Sequence, residues 1–248
     1  MVKEQRQDMI LGILNETGFV TAKELIVRTD YSSATIHRDL IELEHKGLIR
    51  RCNGGAEALN RSNIPPLPLR YDFQKEEKRR IAAAAAMLIK DGDTIFVDAC
   101  TTTSYILQYL TEKKNVHIIT NNIELALRVS LSGLKVTVLG GKVCERPSML
   151  AGDLTVENIM RYRADKAFFS TVAFSHDGRI SGGDPHHLIH RAMMERSNQV
   201  FYLACASKCQ GNFEMDLCTM GDVDYVVSDY VFSNAVKNKY SQTMFVQV

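Results

Sequence analysis

From residue 72 onward the chain alternates short apolar runs with helix-length segments, a pattern that leaves little choice of fold. The runs are TIFVDA, VHIITN, KVTVLGG, KAFFST, VFYLACA and YVVSD. Between them lie segments such as TSYILQYL, IELALRVSL and HHLIHRAMMERSN. Runs apolar at successive positions suit strands buried on both faces, so the expectation for residues 72–248 is an α/β unit around a mostly parallel sheet. A helix from Phe73 to Lys90 should precede the first strand, its five consecutive alanines favouring close packing.

The rest of the chain divides by composition. Residues 1–58 contain no proline and read as helical, whereas NRSNIPPLPLR holds three of the five prolines and marks residues 59–71 as an extended linker. Within the first segment, Thr21 followed by Glu24 forms a capping box and predicts a helix over Ala22–Thr29. Asp30 and Tyr31 make a turn, and Ser32 caps a second helix ending near Gly47. Ile36, Leu40 and Leu43 share its core face, which leaves Ser33, Thr35, His37 and Arg38 to point elsewhere within the first two turns. Two helices around a tight turn form a helix-turn-helix, whose second helix enters the major groove. LIRRCNGGAEAL then reads as two strands about a Gly54-Gly55 turn, a wing whose Arg50 and Arg51 can reach phosphates. A helical dimerisation module is the competing reading, because residues 1–61 carry nine Lys/Arg and nine Asp/Glu. Four of those cations nevertheless lie between 38 and 51.

EQRQDMILGIL, GFVTAKEL, SSATIHRDLIELEHKGLIRRCNGGA and DACTTT together closely resemble the DeoR family of bacterial transcription regulators across essentially the whole chain. Two positions depart from the family pattern: His37 stands where arginine is common, and Cys100 stands where DAGTTT would have glycine. The first bears on operator sequence or phosphate contact, the second on the room left for a ligand. The resemblance implies a sensor domain folded like ribose-5-phosphate isomerase, and dimers or tetramers.

In open α/β sheets ligands bind beyond the carboxyl ends of the strands. Four such ends are polar here: Asp98 with Thr101, Thr102 and Thr103; Thr120, Asn121 and Asn122; Gly140, Gly141 and Lys142; and Ser207 with Lys208. The helix start at the threonines offers unpaired N–H groups and a favourable dipole for an anion, with hydroxyls as added donors and Lys208 as a nearby cation. A phosphorylated sugar or related metabolite is the expected effector, with Asp98 and Asn121 binding its hydroxyls. A plain helix cap with spectator threonines is the bland alternative.

The expected function is a DNA-binding regulator, a repressor of a carbohydrate operon. The alternative is a sugar-phosphate isomerase-like enzyme with a fused DNA-binding domain. Against turnover, Phe168 to Ser175 carries no acid to shuttle a proton, the next being Asp177 and Asp184. His186 and His190 share a helix face but lack a third metal ligand of suitable spacing, so that face is expected to make some ligand contact rather than hold a metal; neither GxGxxG nor GxxxxGK[ST] occurs, and no cofactor is expected. Six scattered cysteines read as reduced thiols. With a charged N-terminus and no long apolar run, the expected location is cytoplasmic, away from membranes.

Overall fold

The computed structural model describes residues 3–17, 19–46, 48–52, 54–58, 71, 73–144, 148–182, 186–209, 213 and 215–248. Two compact units emerge, Met1–Asp72 and Phe73–Val248. The expected linker, apart from Tyr71, lies outside the described residues, as does Gly47.

The first unit runs α1 (Lys3–Thr17), β1 (Phe19–Thr21), α2 (Ala22–Thr29), α3 (Ser33–His45), β2 (Ile49–Cys52) and β3 (Gly55–Ala58). The capping box closes as the spacing requires: the Glu24 amide donates to Thr21 Oγ1 at 3.2 Å and the Thr21 amide donates to Glu24 Oε2 at 3.0 Å. Asp30 ends α2 at φ 56°, a left-handed conformation that a short polar residue tolerates. Ser32 then caps α3 by accepting the Thr35 amide at 3.3 Å. The strands pair antiparallel in the order β1-β3-β2. Strand β1 was not expected. It is only three residues long, and its pairing partner lies far along the chain. Gly55 is needed at that crossing, since a Cβ there would sit 2.3 Å from the Val20 carbonyl oxygen. Ile10, Leu14, Leu25, Ile36, Leu40 and Leu43 fill the core.

The second unit is built on seven strands: β4 (Thr94–Val97), β5 (His117–Thr120), β6 (Lys135–Val138), β9 (Ala164–Phe169), β11 (Ser197–Ala204), β13 (Tyr225–Ser228) and β14 (Met244–Gln247). They lie in the order β14-β13-β11-β9-β4-β5-β6, and every pairing is parallel. Phe96, Phe168, Phe169, Phe201 and Tyr202 are fully buried in it, as apolar strands covered on both faces must be. Two short antiparallel pairs had no clear signal in the sequence: β7 (Lys142–Val143) with β8 (Leu150–Ala151), and β10 (Arg179–Ser181) with β12 (Asp216–Thr219).

One helix differs from expectation. The segment after β4 is a four-residue α-turn, Thr101–Ser104, that tightens into a 3₁₀ helix over Tyr105–Tyr109. Three consecutive β-branched threonines are poor helix formers, and the Thr103 and Ser104 hydroxyls bond back to the Cys100 carbonyl.

The strand order positions the site. The chain begins in mid-sheet at β4, steps outward through β5 to β6, then crosses back to β9 and proceeds the other way. The strand order reverses between β4 and β9, and doubly wound sheets take their ligands beyond the carboxyl ends of the strands at such a reversal.

Candidate functional site

Beyond β4, Asp98 turns inward. It is 1% exposed and its carboxylate accepts four hydrogen bonds. Oδ1 takes the Cys100 amide at 3.2 Å and the Thr103 hydroxyl at 2.5 Å. Oδ2 takes the Ser170 amide at 3.1 Å and His190 Nε2 at 3.0 Å. Burial alone would push this carboxyl up, but the hydrogen bond and charge of His190, with help from Cys100 and Thr103, hold it below the usual carboxylate range. Both oxygens of Asp98 are thus engaged in framing the loop.

The threonines lie in the same loop. Thr102 and Thr103 are fully buried, Thr103 spending its hydroxyl on the frame. The Thr102 hydroxyl makes no hydrogen bond of ordinary geometry among the described residues, although it lies by the Cys205 thiol. Buried hydroxyls need partners, and Thr103 finds its own within the loop, whereas the Thr102 hydroxyl is not spent there. Thr101 is 7% exposed and nearer the surface, and the first-turn N–H groups of 101–103 have no intrahelical acceptor.

Lys208 reaches into this cluster. Its Nζ donates to Ser170 Oγ at 2.6 Å, and Ser170 in turn donates its amide to Asp98 and accepts the Cys100 thiol through its carbonyl at 3.0 Å. Cys100 adopts φ −90° and ψ 147°, ordinary extended backbone, so a side chain costs no strain there. Its sulfur closes the gap between loop and strand that glycine would leave open. Ser207 bonds to Gln74, just ahead of the helix Lys75–Met87. On that helix Lys78 is 5% exposed, and its charge reaches Cys205, whose thiol is pushed up by burial against the pull of Lys208 and Lys78.

The remaining strand ends are less closely joined to this cluster. Asn121 donates Nδ2 to the Leu150 carbonyl at 3.0 Å, while its buried Oδ1 accepts nothing among the described residues. Asn122 caps helix Ile123–Leu131 and bonds Ser104 at 3.1 Å, linking β5 to the loop. Gly140 and Gly141 pack elsewhere: a Cβ on Gly141 would meet Thr155 Oγ1 at 2.1 Å and the Ala151 carbonyl at 2.8 Å. They belong to a close backbone crossing, two strands away from β4, which by itself calls for glycine.

Three residues here were missed by sequence reasoning. Ser170 follows the apolar run of KAFFST with the same apolar-then-hydroxyl signature that singled out DACTTT. Lys78 shares a helical face with Ile81, Ala82 and Ala85, an odd place for a lysine unless something needs it. His190 reads from the sequence as a metal ligand or as part of a helix face with some ligand contact, and its bond to Asp98 is not legible there: it is 3% exposed and held by Asp98 and the Phe169 ring. The side chain of His186 lies outside the described residues. Among the described residues no group of three or more His, Cys, Asp or Glu could hold a metal ion, and no helix is long and apolar enough to cross a membrane.

On the first unit, Ser33, His37 and Arg38 are exposed along the start of α3, opposite its core face. Thr35 is half-buried, its hydroxyl 2.9 Å from Ser32 Oγ, so it completes the cap. Arg50 pairs with Glu57, and Arg51 lies 3.8 Å from Glu44. Both pairs are exposed and weak enough to yield to phosphate. Beneath, Arg6 of α1 grips the 1%-exposed Asp39 of α3 with two hydrogen bonds and stacks over Tyr31 at 5.1 Å.

Comparison with known proteins agrees with this division. Residues 6–62 match the family model described as DeoR-like helix-turn-helix domain, and residues 73–230 match that of the DeoR C terminal sensor domain. The chain is 31% identical over 231 residues to the glycerol-3-phosphate regulon repressor of Escherichia coli, covering 92% of each. It is 30% identical over 249 residues to the lactose phosphotransferase system repressor of Lactococcus lactis, covering 98% of this chain and 97% of the relative. Among solved structures, ribose 5-phosphate isomerase from Methanocaldococcus jannaschii is similar over 55% of each chain, with 18% identity and a TM-score of 0.41.

Proposed function

The chain belongs to the DeoR family of transcription regulators, and on that premise we propose that it represses a carbohydrate operon under control of a phosphorylated metabolite. The effector site is the crevice between β4 and β9. The observation that carries this reading is Lys208 Nζ held 2.6 Å from Ser170 Oγ, the residue whose amide bonds Asp98 under the 101–104 turn, whose first N–H groups have no intrahelical acceptor. A phosphate displacing Ser170 from Lys208 would gain the cation and the amides of 101–103 together. Asn121 Oδ1, a buried acceptor, suits a hydroxyl of the same ligand.

In the head, Ser33, His37 and Arg38 read base edges while Arg50 and Arg51 take phosphates. A second copy supplies the other half-site of a two-fold operator. Binding proceeds without turnover: the carboxylate nearest the crevice, Asp98, is saturated with hydrogen bonds, and Asp177 is occupied by Ser175 and Arg179.

A thermal-shift screen of sugar phosphates on the full chain tests the site. A ligand at ~100 times its Kd adds ~2.7 kcal/mol of stability. Lys208→Ala should remove that shift, and the same ligand should alter retention of an operator fragment in a gel. A panel without any shift would refute the effector site, and turnover of a ligand that does bind would refute sensing without catalysis.

A further inference from the structure

We infer that His190 is a positioning residue of the effector site, acting through Asp98 to hold the 98–104 loop in the shape that grips an anion. The inference rests on the crevice between β4 and β9 being that site. Asp98 poses a problem for an anion receptor, since a buried carboxylate directly beneath the loop opposes any phosphate placed above it. The structure meets this with four donors, divided evenly between the oxygens. Three come from the loop or from Ser170, the residue just past β9. The fourth, His190 Nε2, arrives from helix His186–Glu195, 92 residues along the chain. It is the one donor of the four whose side chain can carry positive charge.

The geometry is tight. His190 is 3% exposed and its ring packs on Phe169 with centroids 5.1 Å apart, so the imidazole has little room to leave. Both oxygens of Asp98 act on the loop: Oδ1 orients the Cys100 amide and Thr103, and Oδ2 orients Ser170, the residue that holds Lys208. Without His190, Oδ2 must find another donor, and the available ones are those that shape the loop. The segment carrying His190 continues into β11 and ends at Lys208. One stretch of chain thus supports the loop from beneath and supplies its cation from the side.

The test uses the full-length protein with inorganic phosphate as probe, reading Kd from the phosphate dependence of the thermal midpoint. His190→Leu keeps bulk against Phe169 but removes the donor, and should weaken phosphate binding by about ten- to a hundredfold, the range for a hydrogen bond to a charged group. His190→Gln keeps an N–H donor and should recover binding to within about threefold of the parent. Equal phosphate binding by the parent and His190→Leu would overturn the proposal. So would equal losses in His190→Leu and His190→Gln that merely follow a falling midpoint without ligand. A parent protein showing no phosphate dependence would refute the site itself. A parent response abolished by Lys208→Ala but untouched by His190→Leu would refute only the role of His190.

Discussion

Removing the Asp39 carboxylate should loosen the DNA-binding head selectively. Asp39 is 1% exposed on the inner face of α3, where Arg6 of α1 binds it through two hydrogen bonds and Gln7 approaches at 3.4 Å. Donating to Asp39 holds the Arg6 guanidinium above its ordinary value. Breaking a buried ion pair by deleting one partner costs ~3–5 kcal/mol, because the other charge is stranded. Arg6 retains 16% side-chain exposure and can partly rehydrate, so about 2–3 kcal/mol is expected for Asp39→Asn. At ~1.4 kcal/mol per tenfold, that is roughly 30- to 150-fold faster amide exchange in α1 and α3 when exchange reports head opening. Hydrogen-exchange mass spectrometry reads this segment by segment, and residues 73–248 should stay unchanged because they form a separate compact unit. Replacing both partners by apolar residues, Arg6→Met with Asp39→Leu, should restore protection to within about threefold, since buried pairs often exchange for packing at little net cost. Unchanged exchange in Asp39→Asn would refute the reasoning, as would a double variant no better than the single one.

The other predictions concern the wing, a glycine and pH. Arg50→Ala should lower the salt slope of operator binding by about 0.9, similarly for all operator sequences, whereas Glu57→Gln should tighten binding up to about fivefold by releasing Arg50; titrations across salt concentrations measure both. Gly141→Ala should lower the midpoint of the sensor unit by about 4–12 °C in calorimetry, because φ 152° and the 2.1 Å approach to Thr155 together cost ~2–4 kcal/mol. Asp98 has a folded pKa below its unfolded value, so its contribution is present above the unfolded carboxylate range and is lost as pH falls through the folded pKa. Asp98→Asn should therefore destabilise the sensor at pH 7, with the gap to the parent closing in acid; urea titrations showing a gap that widens toward low pH would contradict this.

The elements legible in the sequence were those with local causes. Thr21 and Glu24 lie three residues apart and close their capping box within one turn, so Ala22–Thr29 emerges as read. IELALRVSL carries its own Asn122 cap and helical period, and Ile123–Leu131 follows. The apolar runs of the sheet identify themselves by burial on both faces. The 3₁₀ turn after Thr101–Ser104 escaped detection because a helical period does not distinguish it from an α-helix.

Within the site, the residue types were readable but their orientations were not. DACTTT announces a polar strand end, yet whether Asp98 faces a ligand or the interior depends on donors that the fold brings from afar. Ser170 comes from 72 positions away and His190 from 92. The close approach of Thr155 and Ala151 to Gly141 is equally absent from the sequence, since both come from later in the chain.

The sequence by itself determined the two-part organisation, the helix-turn-helix with its wing, and a parallel sheet with polar carboxyl ends. Each follows from propensities and periods acting over a few residues. That β4 and β9 meet at the reversal of strand order, with Asp98 and Lys208 joined through Ser170, became visible with the packed fold alone. Strand adjacency and buried hydrogen bonds join residues through space, and their partners are chosen by the packing of the whole sheet.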